Sequence, residues 1–381
     1  MNDKRFAIVM TTINVPRLIP AYLDDFQRHG RGRVEIIVIG DRNTPREAEA
    51  YCAELGAGVD YWSPARQEEL LRELPALDRL LPWRSIQRRN LGYLIAYRGG
   101  ADVIVSMDDD NFLHEPDYLA GHGQVGEAAA VRCVASDTGY WNVCSLLSTA
   151  PPRRFYHRGF PLSQRWRPAT LEHRVRTARV AVNAGLWLGD ADVDTITRFE
   201  EPFQVTGLAG DGEPVGLDAG TWSPFNSQNT AAVRDLLPFL YLIVAGGSLR
   251  GHRSTFTNFR YDDIWMSYFA KVAIDRMGDL VTFGRPLVVQ KRNAHDLLTD
   301  LDRELVPMIL TERLVEILRA IDLREGSYLA LYHELIEALR EGVSRHAGLD
   351  ARERAFLLEV ADGMAVWAEV CDQVTAGGGA G

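Results

Sequence analysis

The stretch Ile104–Leu113, IVSMDDDNFL, decides how this chain is read. An apolar run starting at Ala101 ends on three consecutive carboxylates, Asp108, Asp109 and Asp110. Two earlier segments share the build: FAIVMTTI (6–13) and RVEIIVIGD (33–41). Runs rich in Val and Ile that end in polar residues read as strands buried on both faces of a parallel sheet. Helical patterns lie between them, at 17–30, 44–56 and 82–100, the last with Pro82 near its start and Gly99-Gly100 as its stop. This alternation implies an α/β fold with a mostly parallel central sheet covered by helices. In such sheets ligands bind beyond the carboxyl ends of the strands. Thr11, Thr12, Asp41 and the aspartate triplet all fall on that rim.

A triplet of like charges is either a solvated turn or a site for something positive. Its place after a buried strand favours the second reading. Two carboxylates at a strand end suit a hard divalent cation, Mn²⁺ or Mg²⁺, which keeps coordination sites for diphosphate oxygens. Strand alternation turns Asp108 and Asp110 to one side as metal ligands and Asp109 toward the ribose or the fold. His295, in QKRNAHD after the strand-like RPLVVQ, is a candidate third ligand.

Composition narrows the class. The 381 residues carry a formal net charge of −10, which argues against nucleic acid or an anionic membrane as partner. No apolar run reaches the roughly 20 residues of a membrane helix, and the N-terminus lacks the features of a secretion signal. Four cysteines without Cys-x-x-Cys spacing fit a reducing cytoplasm better than a disulfide framework or a zinc site. Neither Gly-x-Gly-x-x-Gly after the first strand nor a P-loop is present, so flavin, nicotinamide and P-loop chemistry lack support.

Cationic residues gather in two islands: Arg84, Arg88 and Arg89 in WRSIQRRN, and Arg153, Arg154, Arg158, Arg165 and Arg167 in PPRRFYHRGFPLSQRWRP. Guanidinium groups match phosphate oxygens bidentately, so each island is expected to supply a diphosphate contact. NAGLWLGDADVD (183–194) offers an aromatic platform, Trp187, and hydroxyl acceptors, Asp192 and Asp194, for a sugar; Asn229 is placed with them. In FRYDDIW, one of Asp262 and Asp263 is expected to begin a helix and the other to move protons. From residue 298 to 381 the apolar spacing is helical, with stripes at Leu314, Ile317, Leu318 and Ile321, at Leu331, Leu335 and Leu339, and at Phe356, Val360, Met364 and Trp367. The expected division is a nucleotide-sugar domain over 1–297 and a helical appendage over 298–381 with a disordered tail. The appendage either packs on the domain or forms a homodimer interface.

The ordered segments VIVSMDDDNF, RGFPLSQR, AGLWLGDADVD, FNSQNTAAVRDLLP and FRYDDIWMSYFAKV resemble the reversibly glycosylated polypeptides, the family that includes plant UDP-arabinopyranose mutases. The likeness covers approximately residues 100–300. It implies a GT-A-like, Rossmann-like fold, a divalent cation without flavin, and interconversion of pyranose and furanose forms of a nucleoside-diphosphate sugar. It also implies that Arg158 is the site of reversible glycosylation and that Arg165, seven positions on, matters. Phe160 stands where that family has Tyr. The composition further resembles mutases of actinobacterial nucleoside-antibiotic pathways, which implies a GDP-hexose such as GDP-fucose over UDP-arabinose. An arginine has an ordinary pKa above 12 and is a poor nucleophile, so Arg158 reads better as a diphosphate clamp than as a covalent carrier. A glycosyltransferase and a non-catalytic nucleotide-sugar-binding scaffold are the alternative functions.

Overall fold

The computed structural model describes residues 4–245, 260–292 and 296–377. The described strands are β1 (Phe6–Thr12), β2 (Val34–Gly40), β3 (Val59–Trp62), β4 (Val103–Asp108), β5 (Asn111–Leu113), β6 (Ala128–Ser136), β7 (Leu147–Ala150), β8 (Leu171–Gly189), β9 (Gln204–Leu208), β10 (Val215–Leu217), β11 (Asn229–Val233) and β12 (Leu280–Gln290). The described helices are α1 (Ile19–Arg28), α2 (Glu47–Glu54), α3 (Pro64–Leu71), α4 (Pro75–Leu80), α5 (Arg89–Arg98), α6 (Thr195–Arg198), α7 (Asp262–Met277), α8 (Leu297–Arg319), α9 (Tyr328–Arg345) and α10 (Ala351–Gly377).

The first three strands expected from the sequence are β1, β2 and β4. They form the order β3-β2-β1-β4, all parallel. Ile8, Val9, Ile37, Val38 and Val105 are fully buried, as both faces of a helix-covered parallel sheet require. Helix α5 lies close on β1 and β2 because Gly92 has no side chain. A Cβ there would come within 2.3 Å of Val9 Cγ1. The register pairs Thr11 with Asp108 and Thr12 with Gly40, which brings these strand ends level.

Beyond β4 the sheet continues through antiparallel partners, β11 against β4 and β8 against β11. Strand β8 runs 19 residues. Its exposed first half pairs with β6, and its buried second half pairs with β11 and β12. This is the mixed α/β fold with C-terminal helices that the sequence led one to expect.

The C-terminal helices pack on the α/β unit of their own chain. Trp265 on α7 donates its indole N–H to Thr311 on α8 (2.9 Å), and Trp367 on α10 stacks on Tyr241 (5.5 Å between ring centroids). Leu314, Leu335, Leu339, Phe356, Val360, Met364 and Trp367 are all fully buried, each contributing about 1.5–3 kcal/mol of apolar burial. Helix α10 extends to Gly377, so residues 375–377 of the expected disordered tail are helical; 378–381 lie outside the described residues. All four cysteines are buried and free. Among the described residues no helix is long and apolar enough to cross a membrane.

Candidate active site

Two adjoining cavities open at the carboxyl rim of the parallel strands. The smaller, about 220 Å³, is lined by Thr11, Thr12, Asp41, Arg88 and Arg89, and by the triplet Asp108–Asp110. The larger, about 450 Å³, shares Asp108 and Asp110 and adds Arg158, Asp192, Asp262, Asp263, Arg198, Arg260 and Arg292. The rim expectation therefore brings β1, β2 and β4 together at one place.

The three aspartates differ. Asp109 faces the smaller cavity only and accepts from Thr12 Oγ1 (2.7 Å). Asp108 accepts from Arg89 Nη2 (2.6 Å); burial pushes its carboxyl up against the pull of that guanidinium. Asp110 is pushed up to about 7 by burial and then by the charges of Asp108 and Asp109. Its Oδ1 is buried with no partner among the described residues. A carboxylate oxygen buried without a donor is unfavourable by about 1–3 kcal/mol unless a proton or cation meets it. Among the described residues no three or more His, Cys, Asp and Glu side chains are arranged to hold a metal by themselves. Asp108 and Asp110 nevertheless fit a hard cation whose remaining ligands are phosphate oxygens. His295 lies outside the described residues.

The first arginine island divides. Arg89 is buried and spent on Asp108, Ser106, Ser227 and Thr11, so it braces the triplet. Arg88 stacks on Trp83, 3.6 Å from the ring centroid, with Nε held by Gln67 Oε1 (2.7 Å). Both its Nη atoms are buried without partners among the described residues, and burial pushes it down to about 10. Asp41 accepts from the Ser85 amide (3.0 Å) and Arg42 amide (2.6 Å). Arg88, Thr11 and Asp41 thus form the wall of the smaller cavity.

The second island divides more sharply. Arg158 enters the larger cavity already engaged. Its Nε and Nη2 donate to Asp192 (2.9 and 3.2 Å), its Nη2 to Asp263 (3.3 Å) and its Nη1 to the Arg260 carbonyl. Burial opposes the charge, but Asp192 and Asp263 hold Arg158 well above its ordinary range. Asp192 is drawn well below the usual carboxylate range by Arg158 and His157, despite burial. Arg165 does not line either cavity. It pairs with fully buried Asp194, which also caps α6 through the Thr197 amide (2.9 Å).

Helix α7 begins with the paired carboxylates expected there. Asp263 accepts from the Ser227 amide (3.1 Å), Ser227 Oγ (3.2 Å) and Arg158. Asp262 keeps Oδ2 buried without a partner among the described residues, and burial, then Asp263, pushes it up to about 7. Both line the larger cavity.

Three sugar-site expectations need correction. Trp187 is buried in the core beside His157 (6.2 Å between ring centroids) and lines neither cavity, because β8 turns it inward. Asn229 accepts from Tyr118 Oη (2.7 Å) and donates to the Leu186 carbonyl (3.2 Å), which ties β11 to its neighbours. Asp194 is consumed by its cap and by Arg165. Only Asp192 of that group reaches the cavity, and it is spent on Arg158 and Asn226 (2.6 Å).

Sequence reasoning missed a bank of arginines that lines the larger cavity together with Asp108 and Asp110. Arg198 ends α6, Arg260 precedes α7 and Arg292 follows β12. Arg292 is pushed down to about 10 by burial and by the like charges of Arg198 and Arg260; burial also lowers Arg198. Asp300 and Glu304 on α8 brace Arg260 (2.6 and 3.3 Å), and Asp300 also meets Arg292 (3.5 Å). Arg292 was findable as a cation at a strand's carboxyl end. Arg198 carried no such signal.

A model of the family described as "Reversibly glycosylated polypeptide" matches residues 1–376. UDP-arabinopyranose mutase 3 of Arabidopsis thaliana is 26% identical over 226 residues, 58% of this chain and 55% of that protein. The probable UDP-arabinopyranose mutase 1 of Pisum sativum is 25% identical over 296 residues, 75% of this chain and 71% of that protein. The chain therefore matches between about half and three quarters of these relatives' length. Among solved structures, glucosyl-3-phosphoglycerate synthase of Mycobacterium tuberculosis with Mn²⁺ and UDP-glucose aligns with a TM-score of 0.41 and 16% identity, over 81% of this chain and 79% of that one. The chain belongs to the reversibly glycosylated polypeptide family.

Proposed function

We propose, with that membership as premise, that the protein is a flavin-independent mutase interconverting pyranose and furanose forms of a nucleoside-diphosphate sugar. One observation carries this reading: a single cavity is lined by Asp108 and Asp110, by a bank of arginines, and by Asp262, whose Oδ2 has no partner among the described residues. The base and ribose would occupy the smaller cavity against Thr11, Asp41 and Arg88, with Asp109 at the ribose. The diphosphate would lie at Asp108 and Asp110. A divalent cation held there, Mn²⁺ or Mg²⁺, would neutralise diphosphate oxygens and ease departure of the nucleotide.

Arg198 and Arg292 would take up the charge that develops as the anomeric C–O bond breaks and its electron pair leaves with the diphosphate. Sugar O4 then closes on the anomeric carbon, the bond to O5 opens, and the diphosphate returns to the new ring. The net change is one proton moved from O4 to O5. Asp262 suits this transfer, since a carboxyl titrating near neutrality can accept and return a proton. Asp263 holds Arg158 and Ser227 in place. Arg158, bound by two carboxylates and a carbonyl, has its charge fixed. That supports an organising and clamping role over a nucleophilic one.

The relatives' names put UDP-arabinopyranose first among substrates to try, and the resemblance to mutases of actinobacterial nucleoside-antibiotic pathways adds a GDP-hexose such as GDP-fucose. The test incubates the enzyme with each nucleotide sugar and Mn²⁺ or Mg²⁺ alone, and separates products by chromatography. An isomeric nucleotide sugar is expected. Slow hydrolysis that becomes transfer once an acceptor is added would replace this reading with a glycosyltransferase. Binding without turnover across the panel would leave a scaffold.

A further inference from the structure

The arginine island at 153–167 has a second face. Arg158 points into the larger active-site cavity, but Arg153, Arg154 and Arg167 line a separate cavity of about 490 Å³. No lining residue is common to the two. Among the described residues no carboxylate lines this second cavity, although the protein is acidic overall. Arg153 is neutralised by Glu200. Arg154 lies over the rings of Tyr156 (5.3 Å) and Trp166 (5.8 Å); neither it nor Arg167 has a carboxylate partner among the described residues. Two exposed cations therefore stand uncompensated at its edge.

Its floor is aromatic. Trp141, Phe155 and Phe160 are buried side chains that line it, and Phe160 sits 5.0 Å from the Tyr156 ring. Tyr156 is itself only 3% exposed, and its hydroxyl is buried with no partner among the described residues. Gln164 Oε1, on the same wall, is likewise without a partner. A buried hydroxyl normally has a hydrogen-bond partner. One space is thus lined by an aromatic floor, by Tyr156 and Gln164 with a hydroxyl and an amide oxygen that lack partners among the described residues, and by two guanidinium groups without a carboxylate partner among them.

We propose that this cavity is a second ligand site, separate from the active site, for a small organic anion that joins a ring to a phosphate or carboxylate. The ring would lie on the aromatic floor, Tyr156 and Gln164 would hydrogen-bond its polar substituents, and Arg154 and Arg167 would hold the anionic group. Phenyl phosphate is a suitable probe, read by isothermal titration calorimetry with the full chain. One saturable site is expected. Phenol and inorganic phosphate, each carrying half of the recognition, are expected to bind at least about tenfold more weakly. The double substitution Arg154→Ala/Arg167→Ala should weaken phenyl phosphate by about tenfold or more. Both side chains are exposed, so the variant is expected to fold. Tyr156→Phe, which removes only the unmet hydroxyl, should weaken binding severalfold without lowering thermal stability. Arg292→Ala, in the active site, should leave the titration unchanged. No saturable binding up to about 10 mM would overturn the proposal. So would equal binding by the double variant, or loss of binding in Arg292→Ala, which would place the probe in the active site instead.

Discussion

Asp262→Asn separates a buried, titrating carboxyl from a merely structural one. In the folded protein Asp262 is pushed up to about 7 from an ordinary value of 3.8, first by burial and then by Asp263. A carboxyl with a raised folded pKa favours the folded state below its ordinary pKa. That contribution is lost as pH rises toward the folded value, because ionisation is easier in the unfolded chain. Three units correspond to about 4 kcal/mol in full, of which about 2–3 kcal/mol falls between about pH 5 and pH 8. Asparagine has the same shape and no such titration. Whatever constant cost or gain the substitution brings, the variant should gain about 2–3 kcal/mol on the wild type between those two pH values. Asp110 has the same sign of slope, but it is present in both proteins and cancels. Urea unfolding followed by tryptophan fluorescence at several pH values measures the difference. A gap that stays constant within about 0.5 kcal/mol would show that Asp262 is ionised throughout, and its role as proton carrier would fall with it.

Further outcomes are expected at the other groups. Chelation by EDTA and the substitution Asp110→Asn should each abolish turnover, and full activity in a metal-free sample would remove the cation from the mechanism. Arg292→Ala should lower kcat/KM by about 10²–10³-fold with little change in stability, as for a lost transition-state donor. Arg165→Ala should do the reverse: it breaks a buried pair and should reduce unfolding free energy by about 3–5 kcal/mol, with kcat kept in the folded fraction. Arg158→Lys should fold and retain measurable turnover, since a lysine still answers Asp192 and Asp263 with charge but loses about 1.5–3 kcal/mol of hydrogen bonding. A folded Arg158→Lys protein with no detectable turnover would instead favour a covalent role for the guanidinium.

Local pattern made much of this protein legible. The apolar runs at 6–13, 33–41 and 101–110 became the parallel core because strands buried on both faces have almost no polar positions to mislead the reader. The apolar stripes around Leu314, Leu335 and Phe356 became buried helix faces for the same reason, at a period of 3.6. Strand β3 and helices α3 and α4 were not read, since they are short and only partly buried. The carboxyl-end rule places Thr11, Asp41 and the triplet on one rim from sequence alone, since it depends only on strand direction.

Charge partnership is where local pattern stopped. Arg158 and Arg165 look alike in sequence, seven residues apart. Yet one joins Asp192 and Asp263, 34 and 105 residues away, inside the active site, while the other is sealed against Asp194. Trp187 and Asn229 have the chemistry of sugar ligands and serve the sheet instead. Strands and helices follow from short-range propensity and from which faces are apolar. The partner of a buried charge follows from which distant segments the fold brings within about 3 Å, because desolvated ions must be met there or not at all. Tertiary packing alone made that choice here, and so decided which of the arginines are free to meet a phosphate.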